Sequence, residues 1–291
     1  MRLISNQKGI GYFASYIKRR IELNKNFLCC ITGQTGSGKT YSALRLAEQL
    51  DLDFNIENIC FTAKDFMNLV NEKTKKLRKG SCIVFDEIQI EMSHLNFQNI
   101  QAKMINYILQ TFRHKGFIMF VTTPHFNLIN ASARKLFHCR METIFINPTK
   151  KQVVLKPFLL NVNQDTGELY KKYLKVGRPG VGISPLKRLK VGMASDELLK
   201  TYEAKKTQFT TDLNNSILRD IKFMEMMKEK KMRKYEQEIE LQELIEESRK
   251  QEDIPLPPAK SYSELFKGFI EDDVDFWDKK EAEEQETKKD E

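Results

Sequence analysis

Residues 33–40 read Gly33-Gln34-Thr35-Gly36-Ser37-Gly38-Lys39-Thr40, a complete G-x-x-x-x-G-K-T loop. This pattern needs a strand before it and a helix after it. The sequence supplies both: residues 27–32 are a short apolar run, and residues 41–50 carry apolar side chains at helical spacing. In such a loop the glycines let backbone N–H groups curl around phosphate oxygens, and the helix offers its positive end. All eight residues are therefore candidate nucleotide contacts. Lys39 is placed to neutralise the β and γ oxygens of a triphosphate, and the Thr40 hydroxyl to ligate Mg²⁺.

A loop of this kind calls for a carboxylate at the end of a neighbouring strand. Residues 81–85 are apolar and deliver Asp86 and Glu87 side by side, forty-six residues after Thr40. Asp86 is expected to hold the metal through water, and Glu87 to polarise the attacking water as general base. Residues 117–121 form another apolar run, closed by Thr122, Thr123, Pro124 and His125. Either the hydroxyls and the imidazole touch the γ-phosphate or the attacking water, or they are ordinary turn chemistry around Pro124.

The order of these elements resembles the HerA–FtsK superfamily of P-loop ATPases: the loop, an Asp-Glu strand end, an Arg113-His114-x-Gly116 corner after a helix, a Thr-Thr strand end, and a short helix with Arg134. Within it, the chain looks closest to the branch of zonular occludens toxin-like and virus genome-packaging ATPases. The resemblance spans residues 25–147. It implies a RecA-like ATPase using ATP and Mg²⁺, assembled as a ring, often a hexamer, that moves DNA or packages a viral genome. The alternative within the branch is an ATPase of particle assembly or extrusion, acting on protein or membrane partners without gripping DNA. The same resemblance makes Arg113 the arginine finger, with Arg134 in reserve. The superfamily's glutamine after the Thr-Thr strand is replaced here by Pro124-His125, so Thr123 or His125 must substitute as the γ-phosphate contact.

Composition fits that reading. Charged residues make up 30% of the 291, and no apolar run approaches the roughly 18 residues of a membrane span. Residues 1–8 lack the apolar core of a secretion signal, so the expected location is the cytoplasm, or the host cytoplasm for a viral protein. The five cysteines and four histidines show no metal-ligand spacing, which leaves buried reduced thiols as the default. Residues 1–193 carry a net +17 and residues 194–291 a net −9, a basic body with an acidic tail that suits DNA as partner.

Alternating strands and helices over residues 1–150 predict an α/β core: a doubly wound, mainly parallel sheet. Residues 10–23 read as a helix, 58–62 as a strand and 100–112 as another helix, while 73–79 are a basic loop. Residues 151–193 read as a β-hairpin around Asp165-Thr166-Gly167. Its Lys171, Lys172, Lys175 and Arg178 either grip a phosphate backbone or simply extend the sheet. Residues 194–250 are a charged helical region, capped by Ser195, with a possible coiled coil from 217 onward. Residues 251–291 are a proline-containing linker and an acidic, aromatic tail, partly disordered, that suits docking on a capsid or membrane-assembly partner.

Overall fold

Side-chain alternation along β1 (Phe27–Thr32) sets the layering of the whole core. Phe27, Cys29 and Ile31 enter one apolar cluster, while Leu28 and Cys30 enter another on the opposite face. The flanking strands β3 (Cys82–Phe85) and β4 (Ile118–Thr123) divide in the same way, Val84 and Phe120 to the first cluster, Phe85 and Val121 to the second. Strands covered on both faces need near-continuous apolar sequence, which is what made them legible. The computed structural model describes residues 8–71, 77–88, 115–178 and 182–252.

On the first face lie α1 (Lys8–Glu22) and α2 (Lys39–Leu50). Helix α1 buries Ile10, Phe13, Ala14, Ile17 and Ile21, one stripe at helical spacing, with the Phe13 ring 5.7 Å from that of Phe27. The second face is covered by α3 (Ala63–Asn71) and by the short α4 (Ala131–Arg134). The sheet order is β10-β6-β5-β1-β4-β3-β2, where β2 is Ile59–Cys60, β5 Cys139–Asn147, β6 Gln152–Val162 and β10 Leu189–Val191. Strands β5, β1, β4, β3 and β2 are parallel, and β6 runs antiparallel to β5. This is the doubly wound α/β fold expected from sequence, with an antiparallel extension on one side.

Three local features refine the sequence reading. Strand β2 stops at Cys60 because Thr62 and Asp65 cap α3 reciprocally: the Asp65 N–H donates to Thr62 Oγ1 (3.0 Å) and the Thr62 N–H to Asp65 Oδ2 (3.1 Å). Strand β6 runs straight through Pro157. On its outer edge, residues 153–155 pair with β10 and residues 159–162 with β7 (Leu169–Lys172), so the proline, lacking an N–H, falls in the gap between them. Arg178 ends β8 (Lys175–Arg178), which pairs not with the main sheet but with β9 (Gly182–Pro185) as a separate two-stranded sheet, fixed by burial of Val176.

Helix α5 (Asp196–Glu252) begins as part of the first compact unit, which extends to Leu213; from Asn214 the chain belongs to a second unit. The helix expected over 100–112, the corner at Arg113 and His114, most of the basic 73–79 segment, and the linker and tail after Glu252 lie outside the described residues. Among the described residues no helix is long and apolar enough to cross a membrane. All five cysteines are buried and free; burial raises the thiol pKa values of Cys29, Cys30, Cys60 and Cys82, that of Cys60 to about 12, and no metal-ligating cluster occurs among the described residues.

Candidate nucleotide site

The loop sits where the sheet delivers it. β1 lies between β4 and β5, its last residue Thr32 in register with Thr123, and Gly33 donates its N–H to the Pro124 carbonyl (3.1 Å). Gly33 cannot carry a side chain, because a Cβ there would collide with Thr143 Oγ1. Gly38 caps α2 at φ 81°, and a Cβ on it would meet Val153 Cγ2 at 2.6 Å. Ser42 Oγ donates to the Gly38 carbonyl (2.8 Å), which fixes the first turn of the helix. Lys39 folds back over the loop, Nζ donating to the Gln34 carbonyl (2.8 Å). Its burial lowers its pKa, against the opposing pull of Glu87 and Asp86. The Ser37 hydroxyl is buried in the loop without a partner among the described residues, an open polar valence where phosphate oxygens are expected.

Asp86 is the hub. It is 1% exposed, and four hydrogen bonds converge on its carboxylate. Oδ1 accepts from Thr40 Oγ1 and from Thr122 Oγ1, both at 2.7 Å; Oδ2 accepts from the Tyr202 hydroxyl at 2.6 Å and from Lys206 Nζ at 3.1 Å. Thr122 also accepts the Glu87 N–H at 2.9 Å. Glu87 itself sits at φ 51°, a left-handed conformation that a non-glycine residue holds only at a cost. The paired Thr40 hydroxyl and Asp86 carboxylate are the hard oxygen donors that Mg²⁺ takes alongside substrate phosphates, so these residues fit the ion.

The residues after β4 arrange themselves differently from the expectation. Thr123 is fully buried and spends its hydroxyl on the His125 carbonyl (3.3 Å), closing the turn around Pro124; His125 is exposed. Neither lines the cleft above the loop, and it is Thr122 that meets the acidic pair. Arg134 donates to Asn127 Oδ1 (2.8 Å), in the short turn that precedes its helix. On the hairpin, Lys171 lies 3.6 Å from Glu142 and over the Phe158 ring, contacts that belong to sheet extension.

Sequence reasoning missed the far wall of the site. A cleft of about 720 Å³ is bounded on one side by Gly36, Gly38, Lys39, Thr40 and Glu87, and on the other by Tyr202, Glu203, Lys206, Thr207, Thr210 and Thr211 of α5. The first turns of α5 are held there by several contacts. Glu48 accepts the Ser195 N–H (3.1 Å), Glu203 accepts the Tyr41 hydroxyl (2.6 Å), and Lys205 Nζ donates to the Ile59 carbonyl (2.7 Å). Phe61 stacks on Phe209 and Tyr202, with ring centroids 5.0 and 6.0 Å apart. Burial and the Asp86 charge raise the Tyr202 pKa, so the phenol stays a donor. Lys206 bridges Asp86 and Glu87, 3.1 Å from each. Burial works against its charge, but the two carboxylates outweigh it and raise its pKa above the ordinary lysine value. The available signal was Lys206 on the stripe of Leu198, Tyr202 and Phe209, a cation where helical spacing calls for an apolar residue.

No family model matches the sequence, and no curated protein does. Among solved structures, the N-terminal domain of zonular occludens toxin from Neisseria meningitidis is similar at 18% identity, over 52% of this chain and 95% of that one, with a TM-score of 0.33. A DNA polymerase III gamma subunit-related protein from Thermotoga maritima matches at 10% identity over 47% of each chain, TM-score 0.35. EssC (ATPases 2 and 3) from Geobacillus thermodenitrificans matches at 11% identity over 66% of this chain and 45% of that one, TM-score 0.30. This chain thus spans about half the length of the last two. At these scores the fold assignment rests on the topology and loop geometry described above.

Proposed function

We propose that this protein hydrolyses ATP at the loop of residues 33–40. The observation that carries the reading is the convergence of Lys39, Thr40 and Glu87 on one cleft, with Asp86 buried beneath it and joined to Thr40 at 2.7 Å. In this reading the loop N–H groups and Lys39 bind the β- and γ-phosphates, and Glu87 takes the proton of the attacking water. Thr40 and Asp86 would hold Mg²⁺, which supplies charge neutralisation at the phosphate oxygens. The neighbouring carboxylates favour turnover over a simple nucleotide switch.

At the finer level, the reading is a ring-forming motor of the HerA–FtsK type acting on DNA, with Arg113 reaching the nucleotide of an adjacent subunit. The net +17 of residues 1–193 supports a polyanionic substrate. The test is ATP hydrolysis by the full chain with and without DNA over a range of salt. The motor reading predicts stimulation by DNA that falls steeply as salt rises. Robust turnover indifferent to DNA would replace it with an ATPase acting on protein partners in particle assembly or extrusion.

A further inference from the structure

We propose that Lys206 is a second cation of the nucleotide site, supplied by α5 of the same chain, and that it binds the terminal phosphate of the bound triphosphate. This rests on the ATPase reading above and adds a residue to it. Four observations carry it.

The position is specific to one end of the nucleotide. A general base must adjoin the water that attacks the terminal phosphorus, so a cation 3.1 Å from Glu87 Oε1 stands at the γ end of the cleft, away from the base and ribose. The donor is available. An ammonium has three N–H groups; two point to Asp86 and Glu87, and no third acceptor occurs among the described residues. The side chain is 33% exposed and lines the cleft opposite Lys39 and Thr40.

The helix turn that carries it is preorganised. Tyr202 is fixed to Asp86, Glu203 to Tyr41 and Lys205 to the Ile59 carbonyl, and Phe209 stacks on Phe61, so residues on either side of Lys206 tie its backbone to the sheet and to α2. Only the flexible end of the lysine has to turn from carboxylate to phosphate, and such fixed placement is what makes a cation effective against developing charge. The charge balance points the same way. Lys39 and Lys206 face Glu87 and Glu203 of the cleft wall and Asp86 buried beneath it. Without Lys206 a single lysine would stand against three carboxylates where a polyanion has to bind.

The test measures binding of ADP and of a non-hydrolysable β,γ-imido triphosphate to the full chain by calorimetry, with turnover measured in parallel. Lys206→Met, of similar length and uncharged, is expected to weaken triphosphate binding about tenfold to a hundredfold while leaving ADP binding within about twofold. Its turnover falls, and Lys206→Arg regains most of both. Lys206→Gln keeps a donor for Asp86, so the same triphosphate-selective loss in a variant of wild-type thermal midpoint separates charge from folding. Equal weakening of ADP and triphosphate, unchanged triphosphate binding, or faster turnover in Lys206→Met would overturn the proposal; the last would mean that Lys206 restrains Glu87. If the wild-type chain binds neither nucleotide, the ATPase reading falls and this proposal falls with it. If the wild type turns over ATP and Lys206→Met matches it, only the role of Lys206 is lost.

Discussion

The two walls of the cleft were built by different rules. The loop wall is local: Gly33 to Thr40 are contiguous, and Asp86 and Glu87 end a strand set by the same parallel sheet. The α5 wall comes from more than a hundred residues further along the chain and has no motif. It is held by aromatic stacking on Phe61 and by hydrogen bonds to Tyr41, Glu48 and Ile59. Chemistry that needs backbone geometry announces itself in a short pattern, whereas a cation that needs only to arrive can ride on any helix that packs nearby.

The sharpest way to break this two-wall picture is to look for a third contributor. Arg113→Ala should leave folding and ATP binding intact but lower turnover by roughly a thousandfold or more, the range of an arginine finger. Mixing it with Glu87→Gln should recover part of the activity if the arginine acts on a neighbour's site. No recovery despite proven co-assembly, or full activity of Arg113→Ala alone, would leave each chain's two walls self-sufficient.

A smaller effect separates α5 into its two parts. Leu198 is 7% exposed in the core, whereas Leu218 is 55% exposed. Leu198→Ala should cost about 2–5 kcal/mol in denaturant unfolding, and Leu218→Gln should stay within about 0.5 kcal/mol. Equal costs would mean that Leu218 is covered by a partner in solution.

The smallest effect concerns the core beneath the loop. His138 Nδ1 accepts the Leu28 N–H (3.0 Å), and burial, helped by Arg20, lowers its pKa to about 3. In the unfolded chain the imidazole titrates near 6.5, so between these values the unfolded state binds more protons. This contribution to stability is therefore complete above about pH 6.5 and is lost as pH falls toward 3, at up to ~1.4 kcal/mol per pH unit. His138→Asn should flatten the stability profile between pH 6.5 and 5; an unchanged slope there would remove His138 as its source.

Much of the core was legible because burial on both faces forces apolar strands and because glycine has no substitute at Gly38. Thr122 and Thr123 show the limit of such reading. Both end the same strand, and only the register with β1 and β3 decides which hydroxyl meets Asp86. The continuity of β6 through Pro157 was hidden for a related reason, since a proline is tolerated wherever the neighbouring strands leave a gap. Tyr202 and Lys206 were illegible because their partners are set by tertiary packing of α5 against β2 and α2, which no local spacing encodes.

In the proposed function, Glu87 is the base of a triphosphate site built on Lys39, Thr40 and Asp86. Glu87→Gln tests it most directly, because the amide keeps the shape and cannot take a proton from water. The variant should bind ATP with near wild-type affinity and hydrolyse it at least about a hundredfold more slowly. Loss of ATP affinity with hydrolysis per bound nucleotide preserved would contradict it.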